Sequence, residues 1–304
     1  MSDGISVDLN ELIALQRFAR MGNYRLPGRA QRSGNHLSSI RGRGMDFAEV
    51  RNYQAGDEIR HMEWRITART GRPHVKLYQE ERERPVVLLV DFNASMFFGT
   101  RIAFKSVIAA RLAALLAWTV INQGDRVGGL LFSGTAHQEY NPRNRESGVL
   151  PFLAGLSNYT RSESFKDEDL KSCSLSHALL RLRRVIRPGS LIVMLSDFYH
   201  VDKDTEQHLN RLGIHNDVLA YFISDPLEIA PPKPEQYAIT NGRQEILLDT
   251  SLESVRAGYQ KFCQERIASL DSLFTGLQIP YTQVTSEDDL PWIVRQTFPR
   301  RAYA

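Results

Sequence analysis

The sequence predicts an α/β protein: an open, mostly parallel sheet with helices on both faces, a small strand-rich module ahead of it, and a β-hairpin insertion. Three observations carry this. Val86-Val87-Leu88-Leu89-Val90 and Leu191-Ile192-Val193-Met194-Leu195 are continuous apolar runs of strand length, as expected for strands buried on both faces. Helical and strand patterns alternate from residue 86 onward. Residues 41–85 have a different texture, with ten Lys/Arg and eight Asp/Glu interleaved over 45 positions. Two domains follow from that change: residues 1–85 and residues 86–304, the second with its insertion at about 226–250.

In order, Leu9 to Met21 is a short amphipathic segment, followed by a loop rich in Gly, Arg and Ser. The charged block holds Phe47, Tyr53, Trp64 and Tyr78 among its charges, which a disordered charge run would lack, so it reads as folded short strands and turns. Gly56-Asp57 and Gly71-Arg72-Pro73 supply the turns. After the strand at Val86, Arg101 to Gln123 reads as a long helix whose charges, Arg101, Lys105 and Arg111, fall within one arc. Gly124-Asp125 ends it before a strand at Val127 to Phe132. Leu175 to Ile186 is helical with an Arg-rich outer face, and Pro188-Gly189 turns the chain into the second apolar strand. A helix at Asp204 to Leu212 and a strand at Asp217 to Ile223 come next. Tyr237 to Asp249 is a hairpin around Asn241-Gly242, a dipeptide suited to a type I′ turn. The chain closes with a helix at Leu252 to Leu277, a strand at Tyr281 to Val284 and a helix at Leu290 to Phe298.

Composition narrows the function. With 38 Lys+Arg against 35 Asp+Glu, the net charge of +3 is small for a protein that coats nucleic acid. Cys173 and Cys263 form neither a Cys-x-x-Cys pair nor a disulfide framework, which points to a reducing compartment. The first residues carry Asp3, Asp8 and Glu11 and no apolar run, and the most lipid-like stretch, Leu112 to Gln123, is well short of the roughly 20 residues a spanning helix needs. The expected setting is cytoplasmic, without membrane insertion. No P-loop, Gly-x-Gly-x-x-Gly or His-Glu-x-x-His motif is present, and the eight histidines form no pair at metal-ligand spacing.

Chemistry in an open sheet gathers outside the carboxyl ends of the strands. There the first apolar strand runs into Asp91-Phe92-Asn93-Ala94-Ser95, and the later one into Ser196-Asp197. Alternation lets Asp91, Asn93 and Ser95 project to one side, and these oxygens with Asp197 form a partial donor set for a hard cation such as Mg²⁺. The plainer alternative is that the same side chains tie the loops by hydrogen bonds while Thr100 caps the following helix. Asp125 precedes its strand and belongs to the opposite edge.

Asp91-x-Asn93-x-Ser95 with Asp197 resembles the metal-ion-dependent adhesion site of von Willebrand factor A (vWA) domains, which reads Asp-x-Ser-x-Ser with a Thr from a second loop and an Asp from a third. Here Asn93 stands at the first Ser, and Cys173, flanked by Ser172 and Ser174, falls at the Thr. A thiol is a poor ligand for a hard cation. Gly42-Arg43-Gly44-Met45-Asp46-Phe47-Ala48-Glu49-Val50-Arg51-Asn52-Tyr53-Gln54-Ala55-Gly56-Asp57 is similar to the signature of the bacterial domain-of-unknown-function family 58. Ile59-Arg60, Trp64, Ala68-Arg69 and Glu81-Arg82-Glu83 continue that signature, and the similarity covers almost the whole chain.

The resemblance implies a vWA-like (Rossmann-like) fold, no catalytic activity, and partnership with a MoxR-type AAA+ ATPase in chaperone-like assembly or activation of a client protein. Arg51, Asp57, Arg60, Trp64 and Arg69 are then candidate partner contacts, although interleaved charges are more simply a scaffold of ion pairs, and Trp64 reads as a packing residue before an anchor. The competing class is a Mg²⁺-dependent hydrolase, a phosphatase or nuclease using Asp91 and Asp197 with Asp202 or Asp204 as the second acid.

Overall fold

The structure is a computed structural model and describes residues 4–19, 45–80, 84–134, 136–144, 146–161, 174–240 and 245–298. In chain order the elements begin with α1 (Leu9–Ala14), β1 (Met45–Asn52), α2 (Trp64–Thr70), β2 (His74–Glu80), β3 (Pro85–Asp91), α3 (Lys105–Asn122), β4 (Arg126–Phe132), β5 (His137–Arg143) and α4 (Glu146–Arg161). They continue with α5 (Leu175–Val185), β6 (Leu191–Ser196), α6 (Lys203–His215), β7 (Asp217–Ile223), α7 (Pro226–Ile229), β8 (Gln236–Thr240), β9 (Glu245–Asp249), α8 (Glu253–Gly276), β10 (Tyr281–Val284) and α9 (Leu290–Thr297).

The apolar runs are the centre of a six-stranded sheet in the order β10-β7-β6-β3-β4-β5. Every neighbouring pair is parallel except β4 with β5. Strand alternation sorts the core into two layers. Val86, Leu88 and Val90 face α3, α4 and α9, and Val87 and Leu89 face α5, α6 and the end of α8. Helix α3 is buried almost all round, from Val107 to Val120, because it lies between the sheet and further helices. Its length and apolar composition would suffice to cross a membrane, and 83% of that window is buried in the fold.

The domain boundary differs from the expected 1–85. Residues up to 30 cluster with 84–301, and 31–83 form the second unit. Leu12 of α1 is fully buried, Trp118 Nε1 donates to the Leu12 carbonyl at 3.0 Å, and Arg111 Nε donates to Glu11 Oε1 at 2.7 Å. The amphipathic N-terminal segment therefore completes the core of the sheet domain. In the 31–83 unit, β1 pairs antiparallel with β2, with a bulge between Phe47 and Glu49. That unit also contains a helix, α2, where only strands and turns were expected; Glu63 Oε1 caps it and Gly71, at φ +69°, ends it.

Two further elements, β5 and α4, were not foreseen. The β5 residues His137-Gln-Glu-Tyr-Asn-Pro-Arg143 are too polar to read as a strand; they form the mostly exposed sheet edge, where Pro142 is tolerated. Helix α4 contains Gly148, Pro151 and Gly155, and packing overrides that poor propensity: a Cβ on Gly155 would sit 1.9 Å from the Tyr140 hydroxyl. The hairpin forms as β8 and β9, and Asn241-Gly242 lies outside the described residues.

Candidate functional site

β3 delivers Asp91 to the carboxyl edge with its side chain buried. Asn93 N donates to Asp91 Oδ1 at 2.8 Å, and Ser196 Oγ, at the end of the neighbouring β6, donates to Asp91 Oδ2 at 2.6 Å. The two strands are thus tied at the edge. Asp197 is also buried; its Oδ1 accepts from Tyr199 N at 3.1 Å, across a turn in which Phe198 holds φ +48°. Phe198 is kept in that left-handed conformation by burial and an edge-on contact with Phe274 at 5.0 Å between ring centroids.

Asp91 and Asp197 face one another's fields in a dry setting. Burial first, then the charge of Asp197, pushes the Asp91 carboxyl up to about 7, against the opposing pull of Ser196, the Asn93 amide and Lys105. The Asn93 Oδ1 atom is buried with no hydrogen-bond partner, and the Ser95 hydroxyl makes no hydrogen bond among the described residues. The four expected residues are therefore brought to one edge, with Asp91 and Asp197 already engaged and Asn93 and Ser95 holding open acceptor capacity.

Three residues outside the expected donor set, Lys105, Glu228 and Arg266, complete the edge. Lys105, the first residue of α3, is buried; its Nζ donates to Asp197 Oδ2 at 2.8 Å and to Glu228 Oε1 at 2.7 Å. Arg266 of α8 sits 3.4 Å from the same Glu228 oxygen, donates to the Asp197 carbonyl at 2.9 Å, and lies over the Tyr199 ring. The other Glu228 oxygen accepts from Asp225 N, closing a capping box around α7. Thr100 does not cap the following helix, whose N-cap is Phe104; it binds Asp225 through both its amide and its hydroxyl.

The resemblance implies Mg²⁺ here, and the described residues do not fit it. A hard cation needs several free oxygens. The Asp197 carboxylate is already bound to an ammonium that would repel an incoming divalent charge. Of the second-loop candidates, Ser174 caps α5 through His177 N and bonds Ser176, while Ser172 and Cys173 lie outside the described residues. Among the described residues, no group of three or more His, Cys, Asp or Glu is placed to hold a metal. Asp202, one of the second acids named for the hydrolase reading, is taken up as a helix cap. Burial would raise the Asp202 carboxyl, but hydrogen bonds from the Thr205 hydroxyl and amide and from Ser176 outweigh it and hold the group below its ordinary value as the cap of α6.

In the 31–83 unit the candidate contacts divide. Arg51 meets Asp57 with both guanidinium nitrogens, at 2.9 and 2.8 Å, and Asp57 Oδ2 also accepts from Gln54 N. The Gln54 amide first, then Arg51, hold the Asp57 carboxyl below its ordinary range. That pair braces a turn. Arg60 pairs with Glu58 in solvent. Trp64 is 65% exposed, so it does not fulfil the packing role, and Arg69 is exposed on the same short helix without an ion pair among the described residues.

The sheet order, the two helical layers and the edge loop of β3 define an open-sheet α/β domain, and the chain also holds a charged unit with a two-stranded sheet. The chain belongs to the family described as protein of unknown function DUF58, whose model matches residues 49–268. An uncharacterized protein of Mycobacterium tuberculosis and one of Mycobacterium bovis are each 28% identical over 270 residues, covering 88% of this chain and 83% of the relative. Among solved structures, the conserved hypothetical protein BatB from Bacteroides thetaiotaomicron is 15% identical with a TM-score of 0.43, over 70% of this chain and 95% of that one. A von Willebrand factor type A protein from Catenulispora acidiphila is 11% identical with a TM-score of 0.31, over 72% of this chain and 42% of that one.

Proposed function

We propose that this chain is a non-enzymatic protein-interaction module, an adaptor of a MoxR-type AAA+ ATPase in the chaperone-like assembly or activation of a client protein. The observation that carries the reading is the buried Asn93 Oδ1, without a hydrogen-bond partner, beside a Ser95 hydroxyl that makes no hydrogen bond among the described residues. A buried acceptor without a donor is costly, and a small shift of the β3 edge loop on docking would let a partner's N–H or O–H group satisfy it. Exposed Ile102 and Tyr199, on the loops that follow β3 and β6, add apolar surface at the same edge. A second contact face is proposed on α2, where exposed Trp64 and Arg69 suit an acidic, partly apolar surface. The ATPase as partner rests on the family resemblance. A cytoplasmic setting is part of the proposal and accords with Cys263 being a free, buried thiol.

The test is binding of a purified MoxR-type ATPase to the full chain, measured in parallel with Mg²⁺ and with chelator. Binding weakened about tenfold or more by Tyr199→Ala or Trp64→Ala supports the adaptor. Absence of binding, or phosphatase turnover abolished by Asp91→Ala, overturns it.

A further inference from the structure

We propose that Lys105 is the resident cation of the carboxyl edge: its ammonium takes the electrostatic and cross-linking role of a divalent ion, and the edge is built to work without metal. This inference stands apart from the identity of any partner.

Position is the first argument. The first residue of a helix faces the positive end of the macrodipole, which disfavours a cation, and burying an ammonium carries a desolvation penalty of its own. Lys105 accepts both, with its side chain only 3% exposed. Two carboxylates at 2.8 and 2.7 Å are the compensation.

Connectivity is the second. A bound ion in such a site would join loops from different strands. The single Nζ atom of Lys105 does this: it belongs to α3 after β3, holds Asp197 at the end of β6, and holds Glu228 of α7 after β7. Arg266 brings α8 to the same Glu228 oxygen and to the Asp197 carbonyl.

Charge is the third. Lys105 and Arg266 against Asp197 and Glu228 make a balanced set of two cations and two carboxylates. The remaining acids are bound to neutral donors, Asp91 by Ser196 and the Asn93 amide, Asp225 by Thr100 and the Leu227 amide. Lys105 thus already occupies the Asp197 and Glu228 carboxylates, and a divalent ion could take them only if the ammonium left.

The experiment titrates Mn²⁺ and Mg²⁺ into the full chain by calorimetry and follows thermal unfolding with each metal and with chelator. Wild type is expected to show no saturable heat at millimolar metal and an unchanged melting temperature. Lys105→Ser removes the ammonium and opens space beside Asp197; it is expected to gain Mn²⁺ binding and a melting temperature several degrees higher with Mn²⁺ than with chelator. If that variant does not fold, Lys105→Met is compared with Lys105→Met combined with Asp197→Asn, which removes the stranded charge and is expected to restore folding without metal. Saturable metal binding by wild type that is lost in Asp91→Ala would overturn the proposal. So would a folded Lys105→Ser indifferent to Mn²⁺, or a double variant no more stable than Lys105→Met. None of these outcomes bears on the ATPase measurement, which is made with and without metal.

Discussion

Lys105 with Asp197 and Arg60 with Glu58 are opposite charges at nearly the same separation, 2.8 and 2.9 Å, in two regions of one chain. The first pair is 3% and 1% exposed, the second 57% and 51%. Water screens the second pair and leaves it little to contribute, whereas the first cannot lose either member without stranding a charge in a dry interior. The difference teaches that charge density along a sequence says little about where charge matters. The described ions of the charged block, such as Arg51 with Asp57 and Arg60 with Glu58, brace turns or face solvent, while a few ions scattered among apolar elements tie together the sheet's carboxyl edge.

The sharpest way to break this comparison is to remove one member of the buried set. Lys105→Met should lower stability by about 3–5 kcal/mol in denaturant titration. A loss below about 1 kcal/mol would show that water reaches the site.

Asp91 should give the next largest effect, through pH. Its folded pKa, about 7, lies above the ordinary 3.8, so the folded state binds the proton more tightly. Stability from this group is full below the ordinary value and is lost as pH rises toward about 7, by a few kcal/mol at most. Asp91→Asn should flatten that decline in unfolding curves recorded from acid to neutral pH.

Asp202 runs the other way. Its carboxyl is held below 3.8, so its contribution is present above that value and disappears as pH falls through the folded one. Asp202→Ala should cost about 1 kcal/mol at neutral pH, as for loss of a helix cap, and much less in strong acid. At the small end, Arg60→Ala and Trp64→Ala should each stay within about 0.5 kcal/mol of wild type. A larger change in either would mean that the exposed surface is structural after all.

The sheet was legible because its strands are self-contained signals: the runs at Val86 and Leu191 need no partner to be recognised. Helix α4 and strand β5 were not, since Pro151 and two glycines contradict the helix locally and β5 is polar because it lies at an edge. Asp91, Asn93 and Ser95 were visible for the same local reason. Lys105, Glu228 and Arg266 were hidden by separation: Lys105 meets partners 92 and 123 positions away. Two weak clues were present, a lysine opening an apolar helix against the dipole and Asp225-Pro226-Leu227-Glu228, which spells a capping box. Neither says which acids the lysine will find, because that is settled by the order of strands in the sheet.

The deep burial of α3 has a consequence for the ribosome. Its apolar surface is covered in part by β6, β7 and α9, all synthesised after it and the last ending only at Thr297. At ordinary elongation rates that leaves an 18-residue apolar helix incompletely covered for roughly ten to thirty seconds in every nascent chain. Synthesis of this protein should therefore lean on early-acting chaperones that shield hydrophobic segments, and truncation anywhere before α9 should send the product toward aggregation rather than toward a smaller folded domain.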